Sequence, residues 1–411
     1  MKLTLDPGAA ALLDALHTAG YAAYAVGGCV RDSLLGRTAH DWDLCTSALP
    51  QQVMELFGTE QCIPTGLQHG TVTIKYGGQL YETTTFRTEG SYTDGRHPDE
   101  VRFVPDVRED LARRDFTINA MAYNAAEGLV DPFGGQKDLQ NGLLRAVGEP
   151  QQRFTEDALR ILRLYRFAAR FGFALDAATA RAARQLAPHL DCISAERIQE
   201  ELAKLLAAPQ PGAYLEPAVL AVVLPELFTP ENALRFEAAR AIIDTLPEGL
   251  PEVSARLAAL LLPLGEQGTR KALKQLRCSN ALIEEVTTLV REAGLVPEEK
   301  TAARAIQARR LLGRLEPDTL RRLLALCAAR TPERAGAFAA LGAEAARLTE
   351  ENACCRVGQL AVNGRDLMAL GAKPGPGLRG QLEALLEAVI TGQLPNERKA
   401  LLAAVKIELD P

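Results

Sequence analysis

Apolar positions in the first 90 residues follow two periods, that of a helix and that of a strand. Residues 8–20 repeat apolar side chains three and four positions apart, as at Leu12 and Leu16, which places them on one face of a helix. Residues 21–26 form a short apolar, partly β-prone stretch that predicts a first strand. The chain therefore begins with a helix that leads into a strand.

Further short segments predict a sheet. Residues 71–76 and 80–86 alternate or run apolar, and the pair Gly77-Gly78 between them has the form of a two-residue hairpin turn. Cys62 and Ile63 form a shorter apolar stretch before this hairpin, and residues 51–57 predict a short helix. We expect a small mixed sheet with one or two helices.

From Thr155 onwards the pattern predicts helices to the end of the chain, divided by prolines between residues 205 and 300. No repeat of about 34 or 40 residues is recognisable. The fold class expected is α+β, a small mixed-sheet head followed by an all-α neck, body and tail. The expected domains are a head at 1–137, a neck at 138–205, a body at 206–320 and a tail at 321–411.

Length and composition exclude several classes of protein. A chain of 411 residues buries large cores and needs no disulfide or metal to fold, and its eight cysteines show no CxxC spacing. No apolar run approaches the roughly 18 residues of a membrane span, and the N-terminus lacks a signal pattern. We expect a cytoplasmic protein without membrane contact, either monomer or homodimer.

Charge is unevenly distributed along the chain, although the net charge is −6. Residues 1–150 hold 12 Lys and Arg against 20 Asp and Glu, whereas 151–184 hold 7 against 3 and 301–350 hold 9 against 5. The acidic part suits a metal cation, and the basic parts suit phosphate or are solvated helix faces. An acidic total does not exclude RNA, because contacts are local and the Debye length is about 8 Å.

Residues 26–45 combine a glycine turn, an arginine and two carboxylates. Gly27 and Gly28 allow backbone N–H groups to approach an anion, and Arg31 follows within one turn as a candidate phosphate ligand. Asp41 and Asp43 read as the start of a strand with both carboxylates on one face. Their mutual repulsion is relieved by a divalent cation, and Mg²⁺ shares coordination with substrate phosphates. Alone, each feature is also typical of an ordinary turn or strand edge.

Two later segments add candidate ligands. Arg114 is a candidate phosphate ligand, and Asp115 is either an acceptor for a ribose hydroxyl or a helix cap, in a segment that turns apolar at helical spacing. Asp157 and Arg160 are three residues apart in a predicted helix and share a face, with Thr155 as its candidate N-cap. The same face continues through Arg163, Arg166 and Arg170. The alternative to a ligand-binding face is a stripe of charged side chains that are exposed to solvent.

The order of these motifs resembles the class II branch of the tRNA nucleotidyltransferase and poly(A) polymerase superfamily. The strings concerned are GGCVRDSLLG followed by DWD, YETTTFR, RRDFTINAMAY, EDALR, SAERIQEEL, and a tail containing GAKPGPGL and GQLPNERKAL. The tail resembles that of bacterial CCA-adding enzymes. The resemblance covers nearly the full length of the chain.

The resemblance implies a role for each motif. Asp41 and Asp43 would hold the metals with Glu82 as a third acidic residue, and the polar loop 88–100 would be a flexible element beside them. A segment at 194–202 would be structural. The triphosphate would be bound by Gly27, Gly28, Arg31 and Arg114, and the ribose by Asp115. The base would be recognised by Asp157 and Arg160, and further contacts to the nucleotide would come from Arg163 and Arg166.

The implied activity is addition of C, C and A to the 3′ end of tRNA from CTP and ATP, with Mg²⁺ and without a nucleic-acid template. Cytosine and adenine both present an amine donor beside a ring-nitrogen acceptor, which a carboxylate and a guanidinium satisfy together, whereas uracil and guanine invert this pattern. A CC-adding enzyme, an A-adding enzyme, a poly(A) polymerase and a non-catalytic RNA-binding protein remain alternatives. Arginines of 303–349, namely Arg309, Arg310, Arg314, Arg321 and Arg322, are candidate contacts to the RNA backbone.

Overall fold

The computed structural model describes residues 2–90 and 101–405. The chain forms two compact units, one made of Met1–Glu231 with Gln275–Arg277 and the other of Asn232–Lys274 with Cys278–Pro411. The first boundary falls near residue 231, within the predicted body, and the four-part division stays a prediction. The fold class is α+β, as the sequence predicted.

A seven-stranded sheet forms the centre of the first unit, in the order β3-β4-β5-β2-β1-β8-β9. Strands β2 and β5 are parallel and the other neighbours are antiparallel, so the sheet is mixed. Two small two-stranded sheets, β6 with β7 and β10 with β11, accompany it. The strands are β1 Ala23–Val26, β2 Leu44–Thr46, β3 Cys62–Gly66, β4 Thr71–Tyr76, β5 Gln79–Thr85, β6 Arg87–Glu89, β7 Val101–Phe103, β8 Ala122–Asn124, β9 Gly128–Val130, β10 Leu143–Leu144 and β11 Ala174–Leu175.

The first helix and the hairpin follow the predicted pattern. Helix α1 spans Pro7–Thr18 and buries Leu12 and Leu16, while the Asp6 carboxylate caps its first turn. Between β4 and β5 the two glycines have φ values of 58° and 79°, the left-handed conformation that a tight hairpin turn requires. Local sequence chemistry therefore determines both elements.

Three predictions of local structure are wrong. The segment after Asp115 forms a short 3₁₀ turn at Thr117–Asn119 and then β8, not a helix. The predicted helix start at Thr155 lies inside a helix that ends at Glu156, because Asp157 takes an extended conformation. Strand β11 interrupts the helical region by pairing with β10.

The N-terminal helices of the first unit pack against the strands of the sheet. Residues 91–100 of the predicted loop lie outside the described residues, and its first part, Thr88 and Glu89, belongs to β6. The helices are α1 Pro7–Thr18, α2 Gly28–Leu34, α3 Pro50–Phe57, α4 Val107–Ala112, α5 Gly135–Gln140, α6 Pro150–Glu156, α7 Leu159–Phe171, α8 Ala177–Leu186, α9 Ala195–Leu206 and α10 Pro217–Val223.

In its described residues the second unit is helical throughout. Helix α12 is buried along its whole length, and near the end of the chain Val362, Leu367, Leu385 and Leu401 form a separate apolar cluster. Across residues 2–90 and 101–405 we find no helix with the length and apolar character that crossing a membrane demands. The helices are α11 Pro230–Thr245, α12 Val253–Leu261, α13 Gly265–Gln275, α14 Asn280–Glu292, α15 Thr301–Arg314, α16 Pro317–Arg330, α17 Ala335–Glu350, α18 Gly364–Ala369, α19 Pro376–Ile390 and α20 Arg398–Ala404.

Candidate active site

The two aspartates lie immediately before β2, at the middle of the sheet. Asp41 and Asp43 are exposed and Trp42 between them is buried, so the predicted alternation is present, although the strand itself begins at Leu44. Strand β2 runs parallel to β5, and Leu44 lies opposite Thr83. If the same register is extended by one residue towards the N-terminus, Asp43 lies beside Glu82. The topology thus brings the third acidic residue next to the pair.

The three carboxylates repel one another. The pKa of Asp43 is raised to about 6, first because surrounding protein atoms remove part of its hydration and then because of the negative charges of Glu82 and Asp41, while Arg114 acts in the opposite direction. Bound divalent cations relieve this kind of repulsion, and carboxylate oxygens are the ligands that Mg²⁺ prefers. Within the residues that the structure describes, no group of three or more His, Cys, Asp or Glu side chains is arranged so that it could hold a metal ion. Metal binding by Asp41 and Asp43 therefore stays a prediction.

Gly27 and Arg114 bring the first motif and the RRD motif into contact. Gly27 has φ 76°, and a Cβ atom placed there would lie 2.9 Å from a terminal nitrogen of Arg114. The positive φ favours glycine here, and the missing side chain leaves room for the Arg114 guanidinium beside the turn. Gly28 begins α2 directly after this turn. Arg114 in turn lies close enough to Asp43 to influence its pKa.

Arg31 is buried, and neighbouring side chains hold its guanidinium. Its Nε and one terminal nitrogen donate to both oxygens of Asp32, at 2.8 and 3.0 Å, and its other terminal nitrogen donates to Asn119 at 2.5 Å. The guanidinium also lies over the rings of Phe167 and Phe171 in α7. These contacts connect α2 with α7, and the contact of Arg31 with phosphate stays a prediction.

Asp115 is likewise buried and held by neighbouring groups of the protein. Oδ1 accepts from the backbone N–H of Phe116 and from Asn119, and Oδ2 accepts twice from Arg163, at 2.9 and 2.6 Å. The carboxylate is buried, yet the Arg163 charge and these donors overcome desolvation and lower its pKa to about 2. Because all four lone-pair positions are used, a ribose hydroxyl must displace one of these donors.

Asp157 and Arg160 have fixed positions but keep hydrogen-bonding capacity. Asp157 accepts from the backbone N–H of Leu159 and from Arg197, both at 3.0 Å, which leaves one lone pair on each oxygen. Arg160 donates to Glu156 at 2.8 Å and to the carbonyl groups of Arg153 and Arg113. Two of its five N–H groups have no partner in the described part of the chain.

Helix α9 supplies residues that the sequence did not indicate. Arg197 pairs with Asp157, and Glu201, one turn later, lies 2.8 Å from Arg166 without the alignment of a hydrogen bond. Arg166 also stacks on Phe167, at 4.1 Å from the ring centroid. The four-residue spacing of Arg197 and Glu201 was the available signal, but it does not reveal which helix they face.

The basic helices of the second unit pair with acidic residues of the same unit. Arg321 donates to both oxygens of Glu252, and Arg322 donates to Glu285 at 2.7 Å. Arg309 donates to the carbonyl of Ile390, Arg310 pairs with Glu387, and Arg314 lies 3.5 Å from Glu292. These contacts favour a role in packing, and contact of these arginines with RNA stays a prediction.

Three family models match successive parts of the chain. Residues 23–145 match the family described as "Poly A polymerase head domain", residues 172–231 match "Probable RNA and SrmB- binding site of polymerase A", and residues 250–405 match domain 2 of tRNA nucleotidyltransferases. The CCA-adding enzyme of Lactiplantibacillus plantarum is 38% identical over 410 residues, covering 97% of this chain and 95% of that protein.

A second relative and one solved structure extend the match. The CCA-adding enzyme of Limosilactobacillus reuteri is 38% identical over 399 residues, covering 96% of this chain and 95% of that one. The crystal structure of the Bacillus stearothermophilus CCA-adding enzyme in complex with CTP is similar with a TM-score of 0.76, at 34% identity and with 97% of each chain covered. On the strength of these matches over nearly its whole length, the chain belongs to the CCA-adding enzyme family of tRNA nucleotidyltransferases.

Proposed function

We propose that this chain adds C, C and A in succession to the 3′ end of tRNA in the cytoplasm, taking them from CTP and ATP without a nucleic-acid template. The observation that carries the proposal is the pair Asp157 and Arg160. Arg197 and Glu156 hold the two side chains in place, and Asp157 keeps free lone pairs while Arg160 keeps free N–H groups. A relative of 34% identity, solved in complex with CTP, supports the assignment of the nucleotide.

The base is selected by donor and acceptor pattern. The free lone pairs of Asp157 accept from the exocyclic amine of cytosine or adenine, and a free N–H of Arg160 donates to the neighbouring ring nitrogen. Uracil and guanine place a carbonyl opposite the carboxylate and an N–H opposite the guanidinium. Each mismatch leaves a buried polar group unpaired, at a cost of about 1–3 kcal/mol.

Nucleotidyl transfer takes place at the three carboxylates. Asp41 and Asp43 would hold Mg²⁺, which when bound supplies charge neutralisation and activation of the tRNA 3′ hydroxyl. Glu82 adds negative charge beside them and increases the affinity of the site for a cation. Arg114, fixed against Gly27, places a guanidinium where the negative charge of the triphosphate arrives.

The remaining predicted residues position this machinery. Arg31 and Asp115 meet at Asn119, and Arg163 continues the chain of hydrogen bonds into α7. Arg166 and Glu201 join α7 to α9, which also carries Arg197. These hydrogen bonds therefore join α7, which carries Arg160, to α2 and to the segment that precedes β8.

The decisive assay uses purified protein, Mg²⁺, tRNA that lacks its last three nucleotides, and each NTP alone or in combination, resolved on a sequencing gel. We expect two additions with CTP alone, three with CTP and ATP, and none with UTP or GTP. Arrest after two additions with both substrates would show a CC-adding enzyme, and long A tracts would show a poly(A) polymerase. An A-adding enzyme would extend only tRNA ending in CC.

A further inference from the structure

Three arginines surround one aromatic ring at the end of α7. The guanidinium carbons of Arg31, Arg37 and Arg170 lie 4.9, 5.2 and 5.3 Å from the centroid of Phe171. Each distance is within the range of a cation–π contact. The ring therefore holds three positive charges together in a small volume.

Among the residues that the structure describes, Asp32 is the one carboxylate that compensates these charges. Asp32 accepts two hydrogen bonds from Arg31, and its contact with Arg170 is long, at 3.7 Å. The side chain of Arg37 has no acidic partner among residues 2–90 and 101–405 and is exposed, as is that of Arg170. Two positive charges thus remain without a full partner at the surface.

The cluster has an electrostatic cost that an anion would remove. The pKa of Arg170 is lowered, first by partial burial and then by the charges of Arg31 and Arg37, against the opposing effect of Asp32. Proteins bring guanidinium groups together in this way where they bind phosphate, because the planar fork matches phosphate oxygens.

Two members of the cluster, Arg37 and Arg170, lie away from the base-selecting pair. Helix α2 begins at Gly28 and Arg37 follows its end, while α7 carries Arg160 in its first turn and Arg170 in its last. At about 1.5 Å per residue, Arg170 lies roughly 15 Å along the helix from Arg160. Arg37 and Arg170 therefore lie at the far ends of the two helices from the glycine turn and the base-selecting pair, whereas Arg31 lies within one turn of Gly27.

We propose that Arg37 and Arg170, held over Phe171, bind phosphodiester groups of the tRNA substrate. The inference rests on the proposed function, because it takes the RNA from it. RNA fits better than the NTP, since the two side chains are exposed at the surface and distant from the base-selecting pair. Alternating arginine and aromatic side chains are typical of surfaces that follow a nucleic-acid backbone.

The test measures tRNA binding of the Arg37→Ala and Arg170→Ala variants, singly and combined, between 50 and 300 mM salt, roughly the range in which ionic contacts to nucleic acid respond. Each lost contact should lower the slope of log affinity against log salt by about 0.7 to 0.9 and weaken binding roughly five- to tenfold near physiological salt. The KM for CTP should not change. Lys75→Ala, which removes an exposed cation from β4, is the matched control and should keep the wild-type slope.

The outcomes separate this inference from the proposed function. An unchanged salt slope in a double variant that still adds CCA would overturn the tRNA-binding role and leave the activity intact. A raised KM for CTP with unchanged tRNA affinity would assign the cluster to the triphosphate instead. If the wild-type protein adds no nucleotide, the proposed function fails, while the binding slopes still decide whether the cluster contacts RNA. Should the double variant not fold, Arg37→Ala alone decides, since that side chain is exposed.

Discussion

Arg163 in α7 donates two hydrogen bonds to a single oxygen of Asp115, at 2.9 and 2.6 Å, across 48 residues of sequence. The other oxygen of Asp115 is held by Asn119, which also accepts from Arg31. A continuous polar network therefore joins α2, the RRD segment and α7. This network determines where the base-selecting end of α7 lies relative to the sheet.

Asp115→Asn should destabilise the first unit by at least about 2 kcal/mol at pH 7, because a pKa of about 2 lies well below the value of 3.8 for a free carboxyl. The folded pKa is the lower one, so the stabilisation is complete above about pH 4 and is lost as the pH falls towards 2. Melting temperatures of wild type and variant between pH 7 and 3 check this. The difference between the two melting temperatures should stay constant down to about pH 4 and then decrease. A difference that stays constant down to pH 3 would contradict this role of Asp115.

Arg197→Ala should weaken selection of the base and leave the carboxylates Asp41, Asp43 and Glu82 unchanged. Asp157 loses the donor that fixes it, so we expect kcat/KM for CTP and ATP to fall roughly tenfold, mainly through KM, and the preference over UTP to decrease. Arg197→Lys should restore part of the loss. Lys204→Ala, on the exposed side of the same helix, is the control and should behave like wild type.

Asp157→Asn combined with Arg160→Gln replaces a fixed acceptor and a fixed donor with amides that offer either function. We expect measurable incorporation of UTP or GTP, and lower efficiency with CTP and ATP because charge-assisted hydrogen bonds become neutral ones. Single-turnover assays with each NTP measure both effects. Strict selection of C and A by the double variant would place base recognition elsewhere.

Asp41→Ala and Asp43→Ala should each lower incorporation of both C and A by about a thousandfold or more, since several kcal/mol of charge stabilisation are lost. Binding of tRNA, followed by filter retention, should persist. Asp14→Ala removes an exposed carboxylate from α1 and should leave turnover unchanged. Near wild-type turnover in either active-site variant would disprove the metal assignment.

Arg322→Ala distinguishes packing from RNA contact in the second unit. Its guanidinium lies between Glu285 and Glu252, so its removal should cost roughly 1–3 kcal/mol of stability and leave the salt slope of tRNA binding unchanged. Arg379→Ala, from an exposed pair with Glu383, should have little effect on melting temperature. A slope reduced by about one unit would instead establish an RNA contact.

Local chemistry in the sequence was sufficient for part of the sheet and for the order of the motifs, although the segment that forms β8 was predicted as a helix. Alternation of apolar and polar residues predicted the exposed pair Asp41 and Asp43 around a buried Trp42, and two glycines predicted the hairpin between β4 and β5. Such features depend on residues within a few positions of one another. The periodicity of the sequence is therefore enough to predict these features.

Only the tertiary structure decided which charges are available to a substrate. Arg31 and Asp115 had the residue types of phosphate and ribose ligands, but long-range partners occupy them. No local pattern indicates that Arg197, 40 residues away, holds Asp157. A guanidinium or carboxylate has the same local pattern whether it faces solvent or another side chain, and only the packing of α7 against the sheet and α9 determines its partner.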